Sequence, residues 1–570
     1  MPGGPSPPAA RPTASPPPAM DSYDAVVIGA GHNALVAAAR LAREGWSVLV
    51  LEANDAVGGC VRSGEATVPG VVHDLYSTNH NLFRQSPAYA AWKDDLERHG
   101  LRFAHSDKPF CNVFEGGAAL RVYADADRTE AELRAHSAAD ADGFRRLQAR
   151  FGDFQKLFLP LYGTALPSAG AAAALAKGTA AVGVGAATET AQLALDSTRE
   201  LGESYFETPE ARALLATWGM HMDFGPDVSG GAVFPLLETF SNIEEGMVVA
   251  EGGASRLAEA LVGVLEEAGG RVRTGARVSR VVVEGGRAVG VETEGGERIG
   301  AAKAVVAGLT PGVLYDRLLA GVDLPAPFRR KVDRYQYGPA TMMLHLALDG
   351  PAPWAAGDDL AEFAYVHVAP GVEDLARTYR QSRDGLLPDS PLLIVGQTTA
   401  VDPTRAPEGT HVLWVQVRTL PPEIRGDAAG EIAATDWAEA AGPFAERVLG
   451  KLERFAPGVR GRIVGQRVMS PADLEADNAC LVGGDSLGGS LHLRQNFLFR
   501  PFPGWSRYDT PVGGLWTCGA STWPGPGNNG ASGWLVAGRL LSPGLGAAAL
   551  GTAAAGAAGA ALWTAFRGDE

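Results

Sequence analysis

From Tyr23 onward, apolar and polar residues alternate in blocks whose lengths predict strands and helices in turn. Ala25-Val26-Val27-Ile28 is a short, unbroken apolar run rich in β-branched residues, the pattern of a parallel strand buried on both faces. It leads into Gly29-Ala30-Gly31-His32-Asn33-Ala34 and then into LVAAARLAREG, a helical pattern ending at Gly45, a residue suited to a left-handed helix cap. A second strand, Ser47-Val48-Leu49-Val50-Leu51, ends in Glu52.

Comparable blocks return twice. The first return opens on Glu251-Gly252-Gly253-Ala254-Ser255 and an amphipathic helix with Leu257, Leu261 and Leu265 at spacing four. Strands are predicted at 271–274, 276–283 and 288–293, with a Gly-rich hairpin at 284–286, and a buried strand at 302–307 ends at Gly308. The second return is Gly514 to Ser521, then Thr522-Trp523-Pro524-Gly525-Pro526-Gly527-Asn528-Asn529-Gly530, then a helix through Leu541.

The opening unit has the order a dinucleotide site needs: strand, glycine turn, helix, strand, acid. Gly29 permits the tight turn, Gly31 lets the backbone approach a pyrophosphate, and Ala34 takes the small position where helix and strand pack closely. The helix N-terminus offers free N–H groups to phosphate, and Glu52 stands where a carboxylate can accept from ribose hydroxyls. Gly525, Gly527 and Gly530 also spell a GxGxxG, but no second strand with a terminal acid follows, so a second dinucleotide site is not expected. A glycine-lined helix N-terminus there suits a ligand that carries or gains negative charge.

Gly58-Gly59-Cys60-Val61-Arg62-Ser63 resembles the GGxxRS continuation of the FAD-binding amine-oxidase and phytoene-desaturase group. With GAGHNALV, GASTWPGPGNNGASG, and Gly483-Gly484-Asp485 through Gln495 and Arg500-Pro501, the chain resembles phytoene-desaturase-like flavoproteins over about residues 22–541, and within them the carotene-ketolase-type branch. The resemblance implies an α/β fold: a discontinuous Rossmann-like FAD-binding domain (21–90, 246–311 and 481–541) with an inserted mixed-sheet and helical substrate domain (91–245 and 312–480). It also implies that Gly58 and Gly59 let the chain pass the flavin, that Arg62 approaches the phosphates, and that the strand around Val278 reads the adenine. Gly519, Ala520, Gly527, Asn528, Asn529 and Gly530 are then expected at the flavin. The chain departs from the family pattern at Trp523, where a histidine is usual, at Asn528 and Asn529, and at Ala520 and Ser521, where related flavoproteins carry a ribityl-binding acid.

In such a protein the cofactor accepts the hydride, and no strong protein base is mandatory. The histidines form no HExxH or paired ligand spacing, so no metal site is expected. His80, which matches a family histidine, is the nominee for proton chemistry, with His221 behind it. Phe154, Phe158, Leu159, Leu161, Tyr162, Trp218, Met220 and Met222 are candidates for a hydrophobic tunnel.

Composition narrows the partners. A net charge of −16 without a cluster of Lys and Arg argues against nucleic acid. Four cysteines without a CxxC pair suit a reducing, cytoplasmic setting. Residues 1–20 are Pro/Ala/Ser-rich, lack the apolar core of a signal peptide and read as a disordered extension, with Met20 as an alternative start. Residues 542–570 read as an Ala/Gly-rich tail that raises peripheral contact with the inner face of the cell membrane as an expectation. The Ala/Gly-rich stretch 168–191 reads as a helical or loop insertion.

Three functions remain open: a carotenoid-like desaturase or ketolase, a flavin oxidase or dehydrogenase of a smaller amine, alcohol or specialised metabolite, and a lipid-escort protein without catalysis. The intact glycine and Glu52 set argues against the third. The enzymatic readings need a hydrophobic small-molecule substrate and an electron acceptor, oxygen or a quinone. No residue fixes the oligomeric state.

Overall fold

The computed structural model describes residues 21–542; the expectations for residues 1–20 and for the tail beyond 542 lie outside the described residues. Strand β1 (Ser22–Ile28), helix α1 (His32–Arg43) and strand β2 (Val48–Leu51) form a parallel unit, with Ala25 opposite Val48 and Ile28 opposite Leu51. Helix α1 buries residues on all sides, from Asn33 to Ala42, which an apolar helix does only when it is covered throughout. The covers are the helices Ser255–Glu267 and Ala531–Leu541. A Cβ on Gly533 would stand 1.8 Å from the Asn33 carbonyl oxygen, so the last helix touches α1 backbone to backbone.

This unit sits in a seven-stranded sheet whose strands all come from 22–51, 271–307 and 515–517. Strand β3 (Arg298–Ala307) is longer than its apolar core suggests because it has two kinds of neighbour. Gly300 pairs antiparallel with Gly290, whereas Val305 pairs parallel with Val26 and with Leu515. The expected strand at 276 begins instead at Val278, because Gly275 and Ala276 donate to the carbonyls of Asn54 and Glu52 (2.9 and 2.7 Å) and wrap the chain around the acid.

A second seven-stranded sheet takes its strands from 110–122 and 340–469. Side chains alternate faces along a strand, and here the alternation divides two environments. Leu413, Val415 and Val417 pack towards the helix Trp437–Phe455. Trp414, Gln416 and Arg418 face the other way, into a cavity. Helices α3 (Pro209–Met220) and α4 (Val233–Glu245) contribute to the wall of that cavity, and α2 (Ala138–Tyr162) packs on α4. The stretch 168–191 folds as two helices, Ala169–Val182 and Val184–Leu193, bent by 116° at Gly183. Among the described residues no single helix is long and apolar enough to cross a membrane.

Candidate active site

A cavity of about 560 Å³ runs between the two sheets. At one end its wall is mostly backbone. Gly29 lies at φ +88°, a turn that a side chain would strain. Gly31 has ordinary extended dihedrals, yet a Cβ there would meet no protein atom within 4 Å and would stand in the cavity. Its lack of a side chain therefore leaves room for a ligand against the N-terminus of α1. Ala34 is buried on the same wall, and a Cβ on Gly308 would come within 3.0 Å of its own Cβ. The Glu52 carboxylate is oriented by the N–H groups of Ala30 (2.7 Å) and Asn54 (2.9 Å) and faces the cavity. Val278 and Gly59 line it too, and a Cβ on Gly59 would press to 3.2 Å from Gly31.

The C-terminal return supplies Gly519, Ala520, Gly527 and Asn528 to this wall. Asn528 is held by donating to Ser77 Oγ (2.8 Å) and the Asn79 carbonyl (2.9 Å). Behind the wall, the carboxylate of Asp485 accepts from the backbone of Gly338, Leu487 and Gly489 at 2.6–3.0 Å. The buried guanidinium of Arg500 donates to the carbonyls of Leu487, Ser490 and Ala520. Arg500 thus clamps the loop after 485 to the one at 519–521, while Asp485 ties that loop to Gly338.

Five nominated residues are placed off the cavity wall. Gly58, at φ +118°, donates to the Ala30 carbonyl and shapes the turn from behind. Arg62 pairs with Asp477 and donates to Tyr76 Oη (3.0 Å), so it braces two lining residues from outside. Asn529 caps the last helix through Ala531 N–H, and Gly530 packs on Val36 and Phe83; the preceding loop, not the helix terminus, faces the cavity. His80 is fully buried, with Nδ1 on the Thr78 carbonyl (2.8 Å) and its ring 5.9 Å from Phe103. Burial pushes its pKa down to about 4, and its Nε2 has no hydrogen-bond partner among the described residues. Trp523 belongs to a second cavity, its indole N–H donating to the Thr164 carbonyl (3.0 Å). Of the tunnel candidates, Trp218 and Met222 line the first cavity and Leu159, Tyr162 and Met222 the second, while Phe154 and Met220 are core.

The other end of the cavity is built from side chains of distant segments: Met343, Tyr365, Trp414 and Arg418 from the second sheet, and His221 and Glu238 from the helical side. Burial pushes the Glu238 carboxyl up to about 7 and His221 well below the usual range for an imidazole. Arg418 donates to Gln416 (2.7 Å) and Ser486 (2.8 Å), and burial lowers its pKa to about 10. The polar residues at every second position of Trp414-Val415-Gln416-Val417-Arg418 carried this signal in the sequence, as did the single acid in Val233-Phe-Pro-Leu-Leu-Glu238.

Residues 35–418 match the sequence model described as flavin containing amine oxidoreductase. The chain belongs to that family. Within this flavin-containing amine oxidoreductase family it is similar to several curated proteins along most of its length. It is 28% identical over 553 residues to pyridine nucleotide-disulfide oxidoreductase domain-containing protein 2 of Rattus norvegicus (90% of this chain, 92% of the relative). It is 27% identical over 531 residues to a limonene dehydrogenase component of Castellaniella defragrans (88% and 91%). It is 26% identical over 517 residues to the zeta-carotene-forming phytoene desaturase of Myxococcus xanthus (88% and 90%). The fold is that of an oxidoreductase from Methanosarcina mazei, with a TM-score of 0.59 at 16% identity, covering 91% of this chain and 99% of that one.

The protein is thus a phytoene-desaturase-like FAD-dependent oxidoreductase. Its residues fit the cofactor: Gly29, Gly31 and the start of α1 would hold the pyrophosphate, Glu52 the ribose, Val278 the adenine, and Gly59 with Gly519 and Ala520 the flavin end. When bound, FAD supplies a two-electron hydride acceptor. The chain itself would orient a substrate and exclude water.

Proposed function

We propose that this flavoprotein removes hydride from an elongated hydrophobic substrate of the polyene or terpenoid kind, as a desaturase or ketolase, and passes the electrons to oxygen or a quinone. The observation that carries this reading is the second cavity, about 340 Å³, which adjoins the first across Leu82, Met222, Phe234 and Pro526. No charged side chain lines it; Leu159, Phe224, Leu237 and Trp523 are typical of its wall. Two adjacent chambers suit a molecule with its reacting carbon in the first and an apolar remainder in the second. The relatives named for phytoene and limonene support the same class of substrate.

A second reading, oxidation of a smaller amine or alcohol, is favoured by Gln416 and Arg418, polar groups with no use for a plain hydrocarbon body. Anaerobic addition of phytoene, limonene, then simple amines and alcohols to the FAD-loaded protein in mild detergent separates the two. Bleaching of the visible flavin band by phytoene or limonene is the expected result. Bleaching only by an amine or alcohol would replace the first reading with the second.

A further inference from the structure

We propose that Glu238 is the proton acceptor of the dehydrogenation, a proposal that rests on the desaturase reading above. Forming a C=C bond from two adjacent C–H bonds requires that one carbon lose hydride and its neighbour lose a proton. The hydride carries its electron pair to the flavin oxidant. The proton goes to the Glu238 carboxylate, forming an O–H bond, and the pair of the broken C–H bond becomes the second bond of the alkene. The balance closes with no further reactant.

The geometry behind this begins with α4. Phe234 lines both chambers, Leu237 lines the second, and Glu238, one helical turn after Phe234, lines the first. The acid therefore stands where the chambers meet. It is buried, with 6% of its surface exposed, and forms no ion pair among the described residues. Its hydrogen-bond partner in the structure is the amide of Asn242 on its own helix, a long 3.4 Å contact. A buried carboxyl that ties no element to another costs stability without returning any, so its place on the substrate wall is the only role its contacts leave it. It shares the wall of the first chamber with Trp218, Tyr365 and Trp414, and its burial there favours a carboxyl able to exchange a proton near neutrality.

The groups facing it come from several elements. Tyr162 at the end of α2 and Tyr365 of the second sheet both sense its charge. His221, just after α3, and Arg418 stand on the same wall. The short helix Asn81–Arg84, also packed on α4, has Arg84 as its charged residue, and no ion pair joins that residue to Glu238. His221 is the rival acceptor, but its burial beside His367 and Arg418 holds it neutral far below the usual imidazole range, so it is the weaker base.

The test uses the FAD-loaded protein and phytoene in detergent under anaerobic stopped flow, across acid to alkaline buffers. Wild type should show flavin reduction that rises with pH through about 7. Glu238→Gln should slow reduction by about 100-fold and abolish that rise, while FAD content and the quenching of tryptophan fluorescence by phytoene stay unchanged. Glu238→Asp should restore the pH dependence at reduced rate. An infrared carboxylic-acid band that titrates over the same range should disappear in Glu238→Gln. Reduction of Glu238→Gln at the wild-type rate with its pH rise intact would overturn the proposal and leave the desaturase reading standing. Failure of phytoene and limonene to reduce the wild type would overturn that reading, and this proposal with it.

Discussion

The two ends of the cavity are built on opposite principles. At the cofactor end the wall is backbone and small residues, drawn largely from one stretch of chain between Ile28 and Gly59 and returning at Gly519. At the substrate end it is large side chains from both halves of the chain, Trp218 and Glu238 from the first and Met343 and Trp414 from the second. The first end is defined by what the residues lack, since a Cβ on Gly31 would enter the cavity. The second is defined by what they carry. A ligand shared by many proteins is held by the former, and the particular substrate of this one is selected by the latter.

That contrast implies that the two ends respond differently to substitution. The largest effect is expected behind the cofactor end. Gly533→Ala places a Cβ 1.8 Å from the Asn33 carbonyl, a backbone atom that cannot swing aside. It should lower the unfolding free energy by about 3 kcal/mol or more, measured by denaturant titration. A loss below about 1 kcal/mol would mean that the helix pair yields freely and that its tight contact does not shape the cofactor end.

Glu238→Gln should leave the fold intact but change its pH dependence. Burial raises the Glu238 carboxyl to about 7 in the folded protein, above its value in an open chain. The folded state therefore holds this proton more tightly, and the wild type loses stability as pH rises from about 4.5 to 7, then levels off. Thermal melts at acid and mildly alkaline pH should show the variant gaining on the wild type by about 3 kcal/mol between them. A constant difference would show that the acid is not buried as described.

Arg62→Met tests the brace at the rim. Losing its pairing with Asp477 and Tyr76 should cost about 1–2 kcal/mol and weaken FAD binding only several-fold. Complete loss of FAD would instead place the guanidinium at the phosphates, as the family resemblance suggests. The smallest effect is expected at His80: His80→Gln should cost about 1 kcal/mol by disturbing the bond to Thr78 and leave flavin reduction within about threefold of wild type. Abolished reduction with normal FAD content would return His80 to the chemistry.

The same contrast explains what was legible in the sequence. Gly29, Gly31, Ala34 and Glu52 act within one strand-turn-helix-strand unit, so their spacing along the chain is their spacing in space. Asp485 and Arg500 were visible as part of a motif, although the tie of Asp485 to Gly338 and of Arg500 to Ala520 needs the fold to be seen. Glu238, by contrast, shares a wall with Tyr365 and Trp414 only because a helix from the first half of the chain roofs a sheet largely from the second. Periodicity could show that Trp414, Gln416 and Arg418 share a face, but not what that face looks onto. His80 shows the converse: its neighbours Ser77 and Asn79 line the cavity, while its own ring is buried off the cavity wall.

The most direct test of the division between the two ends is the FAD dissociation constant of Gly31→Val and Glu238→Gln, measured side by side on stripped and reconstituted protein. Gly31→Val fills the space at the start of α1, where a Cβ would meet no protein atom within 4 Å, and should weaken FAD by more than about 100-fold, roughly 3 kcal/mol, with an unchanged melt of the stripped protein. Glu238→Gln should bind FAD as wild type does. Equal losses in both variants, or wild-type affinity in Gly31→Val, would contradict the account.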